Sequence, residues 1–123
     1  MATADYLKQA SANIRRAALA RKQEADMLRS DLARKEQEYR RRIDQLRVQK
    51  NLLESKIASA NTDNNERAHL AREDAAKVDG IHQTENELKR VKERIAQEIE
   101  KKERNERELN SMAQNVERRA SGL

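Results

Sequence analysis

Taken every seventh residue from Ser11, the chain reads Ser11, Ala18, Ala25, Leu32, Tyr39, Leu46, Leu53 and Ala60. In the same phase it continues Arg67, Asp74, Ile81, Leu88, Ile95, Lys102, Leu109, Val116 and Leu123. Apart from Arg67, Asp74 and Lys102 the series is apolar or small, which is the pattern of helices that bury one narrow stripe against a partner helix. A second line accompanies the first. It runs through Leu7, Ile14, Arg21 and Leu28 on one side, then through Ile43, Lys50 and Ile57 on the other. The change of side between Leu28 and Ile43 predicts a stutter that relaxes the supercoil locally. Further on, Val78 and Ile99 flank the main line on one side and Leu70, Val91 and Met112 on the other, which broadens the stripe.

Five consecutive residues, Asn61, Thr62, Asp63, Asn64 and Asn65, interrupt this pattern. All five prefer caps and turns, because their side chains compete for nearby backbone groups. Asp63 with Glu66 three residues later fits a capping box that restarts a helix. The expected architecture is all-α, a two-helix antiparallel coiled-coil hairpin forming a single unit. Helix 1 spans about 3–60, the turn about 61–65 and helix 2 about 65–120, with a kink near 79–83 where Gly80 weakens the helix and Thr84 with Glu87 caps a restart. The rival architecture is one continuous long helix that dimerises as a coiled coil.

Folding the chain about the turn sets Leu53 and Ile57 beside Leu70 and Ala71, and Ile43 and Leu46 beside Val78 and Ile81. Further out, Leu28 and Leu32 meet Ile95 and Ile99, while Ile14 meets Leu109 and Met112. The expected core is therefore Leu28, Leu32, Tyr39, Ile43, Leu46, Leu53, Ile57, Leu70, Val78, Ile81, Leu88, Ile95, Ile99, Leu109 and Val116. Leu19 and Val48 fall off the stripe.

Composition narrows the reading. Leu, Ile and Val number 21 of 123 residues and Ala another 18, while 40% of the chain is charged and Pro, Cys, Phe and Trp are absent. So little large apolar surface suits a two-helix seam better than the wide faces of a globular helical core. Disorder is opposed by the periodicity, by the good helix formers and by charges that nearly cancel, 27 basic against 22 acidic. Residues 1–61 carry 14 basic and 8 acidic side chains and residues 62–123 carry 13 and 14, a mild complementarity between the two arms. No apolar run is long enough to span a bilayer and no apolar leader opens the chain, so a cytoplasmic protein is expected.

Candidate chemistry is sparse. His69 has Glu73 one turn later and His82 has Asp79 one turn earlier, two ligands each where a metal site needs three or four. Isolated serines and two separate glycines offer neither a nucleophile with its base nor a phosphate loop, so no cofactor, no metal and no catalysis are expected. Arg40, Arg41, Arg42 and Arg47 are the candidate polyanion contacts, diluted by Glu36, Glu38 and Asp44. Tyr6 and Tyr39 are the only aromatics, which leaves little for base stacking. The segment Tyr6 to Lys22 is amphipathic, with Leu7, Ala10, Ile14, Ala17 and Ala18 on one face. It reads as the first turns of the coiled coil, or as a helix lying on an anionic membrane. Arg118, Arg119, Ala120 and Ser121 match the pattern read by basophilic protein kinases, making Ser121 a candidate phosphosite. The expected function is a structural or adaptor coiled coil whose partner is another helical protein or itself. An electrostatic binder of nucleic acid or anionic membrane is the alternative.

Overall fold

Ala, Glu, Lys, Arg, Gln and Leu fill most of the chain and no Pro interrupts it, so helix is favoured locally almost throughout. The computed structural model describes residues 3–59 and 63–122, which form two helices, α1 (Thr3–Ile57) and α2 (Asn64–Ser121). They pack as an antiparallel helical hairpin. The continuous-helix alternative is overturned, because the helix stops at Ile57. Each helix carries charge suited to its dipole: Asp5 and Glu66 sit in the first turns, and Lys56, Arg118 and Arg119 in the last.

The interruption begins earlier than the sequence pattern places it. α1 ends at Ile57 rather than near 60, and its last turn is closed by bonds from Ala58 N to Glu54 O (3.0 Å) and from Ser59 N to Lys56 O (3.1 Å). Ala60, Asn61, Thr62 and Leu123 lie outside the described residues. Asp63 is the N-cap of α2: the Glu66 N–H donates to Asp63 Oδ1 at 2.7 Å, and the Arg67 N–H to Asp63 O at 2.9 Å. Asn64 and Asn65 therefore belong to the first turn of α2 rather than to the loop. Their backbone N–H groups have no intrahelical acceptor there, so their poor propensity costs little. Arg67 also reaches back across the interruption, donating from Nη2 to Ser59 O at 3.3 Å.

The chain groups into two units, one of Met1–Asp31 with Glu93–Leu123 and one of Leu32–Lys92. Their cores differ in chemistry. In the second unit the buried side chains are large, Ile43, Leu53, Leu70 and Ile81, with Tyr39, Leu46, Ile57, Val78 and Leu88 partly buried around them. In the first unit they are mostly small: Ser11, Ala18, Ala25, Ala113 and Ala120, joined by one large residue, Ile95. Leu28, Ile99, Leu109 and Val116 are partly buried in that unit, as is Leu32 in the other. Ala71, placed beside Leu53 and Ile57 by the sequence, is exposed. Ser11 satisfies its hydroxyl by donating to Lys8 O at 3.0 Å.

On α1 the buried and partly buried positions advance by alternating steps of three and four until Lys35, Tyr39 and Ile43, where two steps of four follow one another. That is the interruption of phase expected between Leu28 and Ile43. A second one, at Val91, Ile95 and Ile99 on α2, is not evident in the main heptad line. After it, Ile99, Glu106, Ala113 and Ala120 recur at seven, which brings the two alanines into the seam.

Gly80 does not break α2, which is helical through 79–83. Thr84 caps no restart; its hydroxyl donates back to Gly80 O at 2.7 Å, a local bond of the kind that bends helices. A β-carbon built at Gly80 would meet Leu46 Cδ1 at 3.5 Å and Cδ2 at 3.7 Å, ordinary van der Waals contact. Gly80→Ala should therefore raise stability by about 0.5–1 kcal/mol, through helix propensity and a stiffer unfolded chain. A urea titration followed by circular dichroism checks this, and a lower midpoint in the variant would contradict it.

Candidate interaction surface

Arg21, Lys50 and Lys102, which puncture the seam, each pair with a carboxylate. In the second unit Lys50 donates to Glu54 Oε1 at 2.6 Å and lies within the field of Asp74. The Glu54 hydrogen bond, with the charges of Glu54 and Asp74 behind it, holds the Lys50 ammonium above its ordinary pKa. Asp74 Oδ1 is buried and accepts no hydrogen bond among the described residues. In the first unit Arg21 donates to both oxygens of Glu24 (2.6 and 2.7 Å), and Lys102 from α2 reaches Glu24 Oε2 at 3.0 Å. Lys102 first, then Arg21, holds the Glu24 carboxyl below the usual range. Such layers are matched only in one alignment of the helices, so they select register more than they add stability.

Pairs of a basic residue and a glutamate bridge the two helices beside the seam. In the first unit Arg15 Nε lies 2.6 Å from Glu117 Oε1 and Arg29 pairs with Glu103. In the second, Arg47 pairs with Glu85 at 3.5 Å and Lys92 with Glu36 at 3.4 Å. The bidentate bond from Arg15 raises the Arg15 pKa and lowers that of Glu117. All these pairs are solvent-accessible, so each is weak and salt-screened.

Glu24 and Glu117, with folded pKa values depressed by their basic partners, stabilise the fold above the ordinary carboxylate range. That contribution disappears as pH falls through their folded values. The urea midpoint at low salt should therefore drop between neutral pH and pH about 3. Replacing both residues with Gln should flatten the dependence, and an unchanged pH profile in that variant would refute the assignment.

The candidate polyanion contacts do not form one site. Arg40, Arg41, Arg42 and Arg47 are exposed; Arg42 stacks over the Tyr39 ring at 5.1 Å, and Arg47 is paired with Glu85. Arg40 and Arg47 do line a common concavity, together with Ile43, Asp44, Glu85 and Leu88, but its two carboxylates offset the two guanidinium groups. His69 Nε2 lies 2.9 Å from Glu73 Oε1, and His82 is exposed. Among the described residues no group of three or more His, Cys, Asp or Glu is placed to hold a metal ion. Ser121 is exposed as the last residue of α2, and residues 118–121 are helical. A kinase that reads an extended strand would have to unwind this last turn and uncover the buried Ala120.

Large apolar side chains are also exposed. Tyr6, Leu19, Met27 and Met112 lie in the first unit, and Val48 and Leu52 in the second. Among the described residues no helix is long and apolar enough to cross a membrane. No protein-family model, no curated protein and no solved structure matches this chain.

Proposed function

We propose that this chain is a non-catalytic structural or adaptor coiled coil of the cytoplasm, which acts by associating with another helical protein or with itself. The observation that carries this reading is how the charges are used. Ion pairs such as Arg15–Glu117, Arg29–Glu103, Arg47–Glu85 and Lys92–Glu36 bridge the helices beside the seam, and Arg21 and Lys102 both close on Glu24. These pairs offset part of the positive charge, and the net charge of +5 is spread along the chain rather than gathered into one patch, which weakens the pull on a polyanion. Meanwhile Leu19, Met27, Val48, Leu52 and Met112 stay more than half exposed, each offering apolar contact to a partner.

Salt separates this reading from an electrostatic binder of nucleic acid or anionic membrane. A protein that neutralises several phosphates loses affinity steeply between about 50 and 200 mM salt, whereas apolar helix association changes little. Fluorescence anisotropy with a labelled polyuridylate, and co-sedimentation with phosphatidylserine vesicles, should show no binding at about 150 mM salt. Tight binding to either one that collapses as salt rises would overturn the reading in favour of the electrostatic alternative.

A further inference from the structure

In the first unit one edge of the seam, with the positions next to it, forms two lines, one on each helix. On α1, Ala10, Ile14, Ala17, Arg21 and Glu24 follow at alternating steps of four and three; on α2, Lys102, Asn105, Leu109, Met112 and Val116 do the same. Glu24 meets Lys102 at 3.0 Å, and Arg21, Lys102 and Asn105 line one shallow concavity with Glu98 and Lys101. The two lines therefore belong to the same flank. Moving away from that charged concavity, the flank turns apolar: Ala10, Ile14 and Ala17 on α1, Leu109, Met112 and Val116 on α2. Five of these are partly exposed, and Met112 is 52% exposed. Elsewhere on this unit Arg15 is bonded to Glu117 and shares a concavity with Arg107, Asn110 and Gln114, groups that would be costly to desolvate.

We infer that a second copy of this chain docks on the apolar flank formed by Ala10, Ile14, Ala17, Leu109, Met112 and Val116, making a symmetric dimer. This rests on the reading of the protein as one that acts by helix association, and it names the partner. The charge of the rim selects a second copy: Glu24 and Glu98 stand among Arg21, Lys101 and Lys102, so the patch offers both signs to its own two-fold mate. A partner of one sign would meet like charge along part of that rim. Ala10 and Ala17 keep the flank low enough for another helix to approach closely. The other exposed pair, Val48 with Leu52, is two residues one turn apart on α1, surrounded on that helix by Asp44, Gln45, Gln49, Asn51, Ser55 and Lys56.

Sedimentation equilibrium of the full chain over a concentration series at about 150 mM salt tests the inference. The mass should approach twice 14.3 kDa. Met112→Glu should weaken dimerisation by about tenfold or more with helicity retained, while Val48→Glu should leave it unchanged. Because the native chain has no cysteine, a nitroxide on Met112→Cys should add dipolar broadening between copies, and one on Val48→Cys should not. That measurement stands even if the Glu variant unfolds. A mass that stays at 14.3 kDa up to about 1 mM overturns the inference. So does a dimer indifferent to Met112→Glu but broken by Val48→Glu. A monomer that still binds another helical protein would overturn this inference alone, whereas salt-sensitive binding of polyanions would overturn the reading beneath it.

Discussion

Ile95→Ala should lower the unfolding free energy by about 2–3 kcal/mol, the lower part of the range for truncating a buried aliphatic side chain. Ile95 is 4% exposed and is the only large side chain among the described buried residues of the first unit. The lower part of the range applies because a two-helix seam is open along its sides, so water can enter the gap. Set against a typical domain stability of about 5–15 kcal/mol, the loss is large. Leu46→Ala, at a partly buried position against Gly80, should cost less than Ile95→Ala. Leu19→Ala and Val48→Ala remove side chains that are 53% and 59% exposed. Both should be near neutral, and Val48→Ala is helped by the better helix propensity of Ala. Urea titrations followed at 222 nm compare the four, and equal losses at all of them would show that Leu19 and Val48 are covered by a further helix.

The second large effect should come from adding atoms. Ala113 is fully buried, at 0% exposure, and a side chain of one methyl group can be sealed that completely only by a neighbouring helix lying close. Ala113→Leu would require the helices to separate or the new side chain to leave its preferred rotamers, at about 1–3 kcal/mol. Ala75→Leu provides the comparison, because Ala75 is exposed on α2 and Leu is nearly as good a helix former as Ala. The difference between these two variants isolates packing from propensity. Should Ala113→Leu melt no lower than Ala75→Leu, the small-residue seam of the first unit would be wrong.

How the protein reads from its residues alone depends on which force acts. Local propensity and seven-residue spacing act over a few turns, so the two helices, the break after α1 and the Asp63 cap are legible in the chain. Ile43, Leu53, Leu70, Ile81 and Ile95 are legible as core for the same reason, since large apolar residues on one stripe have no other place to go. Ala113 and Ala120 are not, because Ala is equally at home on a helix surface. Only the close approach of the other helix decides that these alanines are buried while Ala71 and Ala75 are exposed. The polar interruptions show the same division. Arg21 and Lys102 look like defects along the chain, and antiparallel packing closes both on Glu24, whereas Asp74 keeps a buried oxygen that accepts no hydrogen bond among the described residues. Gly80 looks like a hinge by propensity, and tertiary packing places Leu46 over it while α2 continues. Spacing along one helix sets which face is buried, but which neighbour arrives at that face, and how closely, is a property of two segments far apart in the chain.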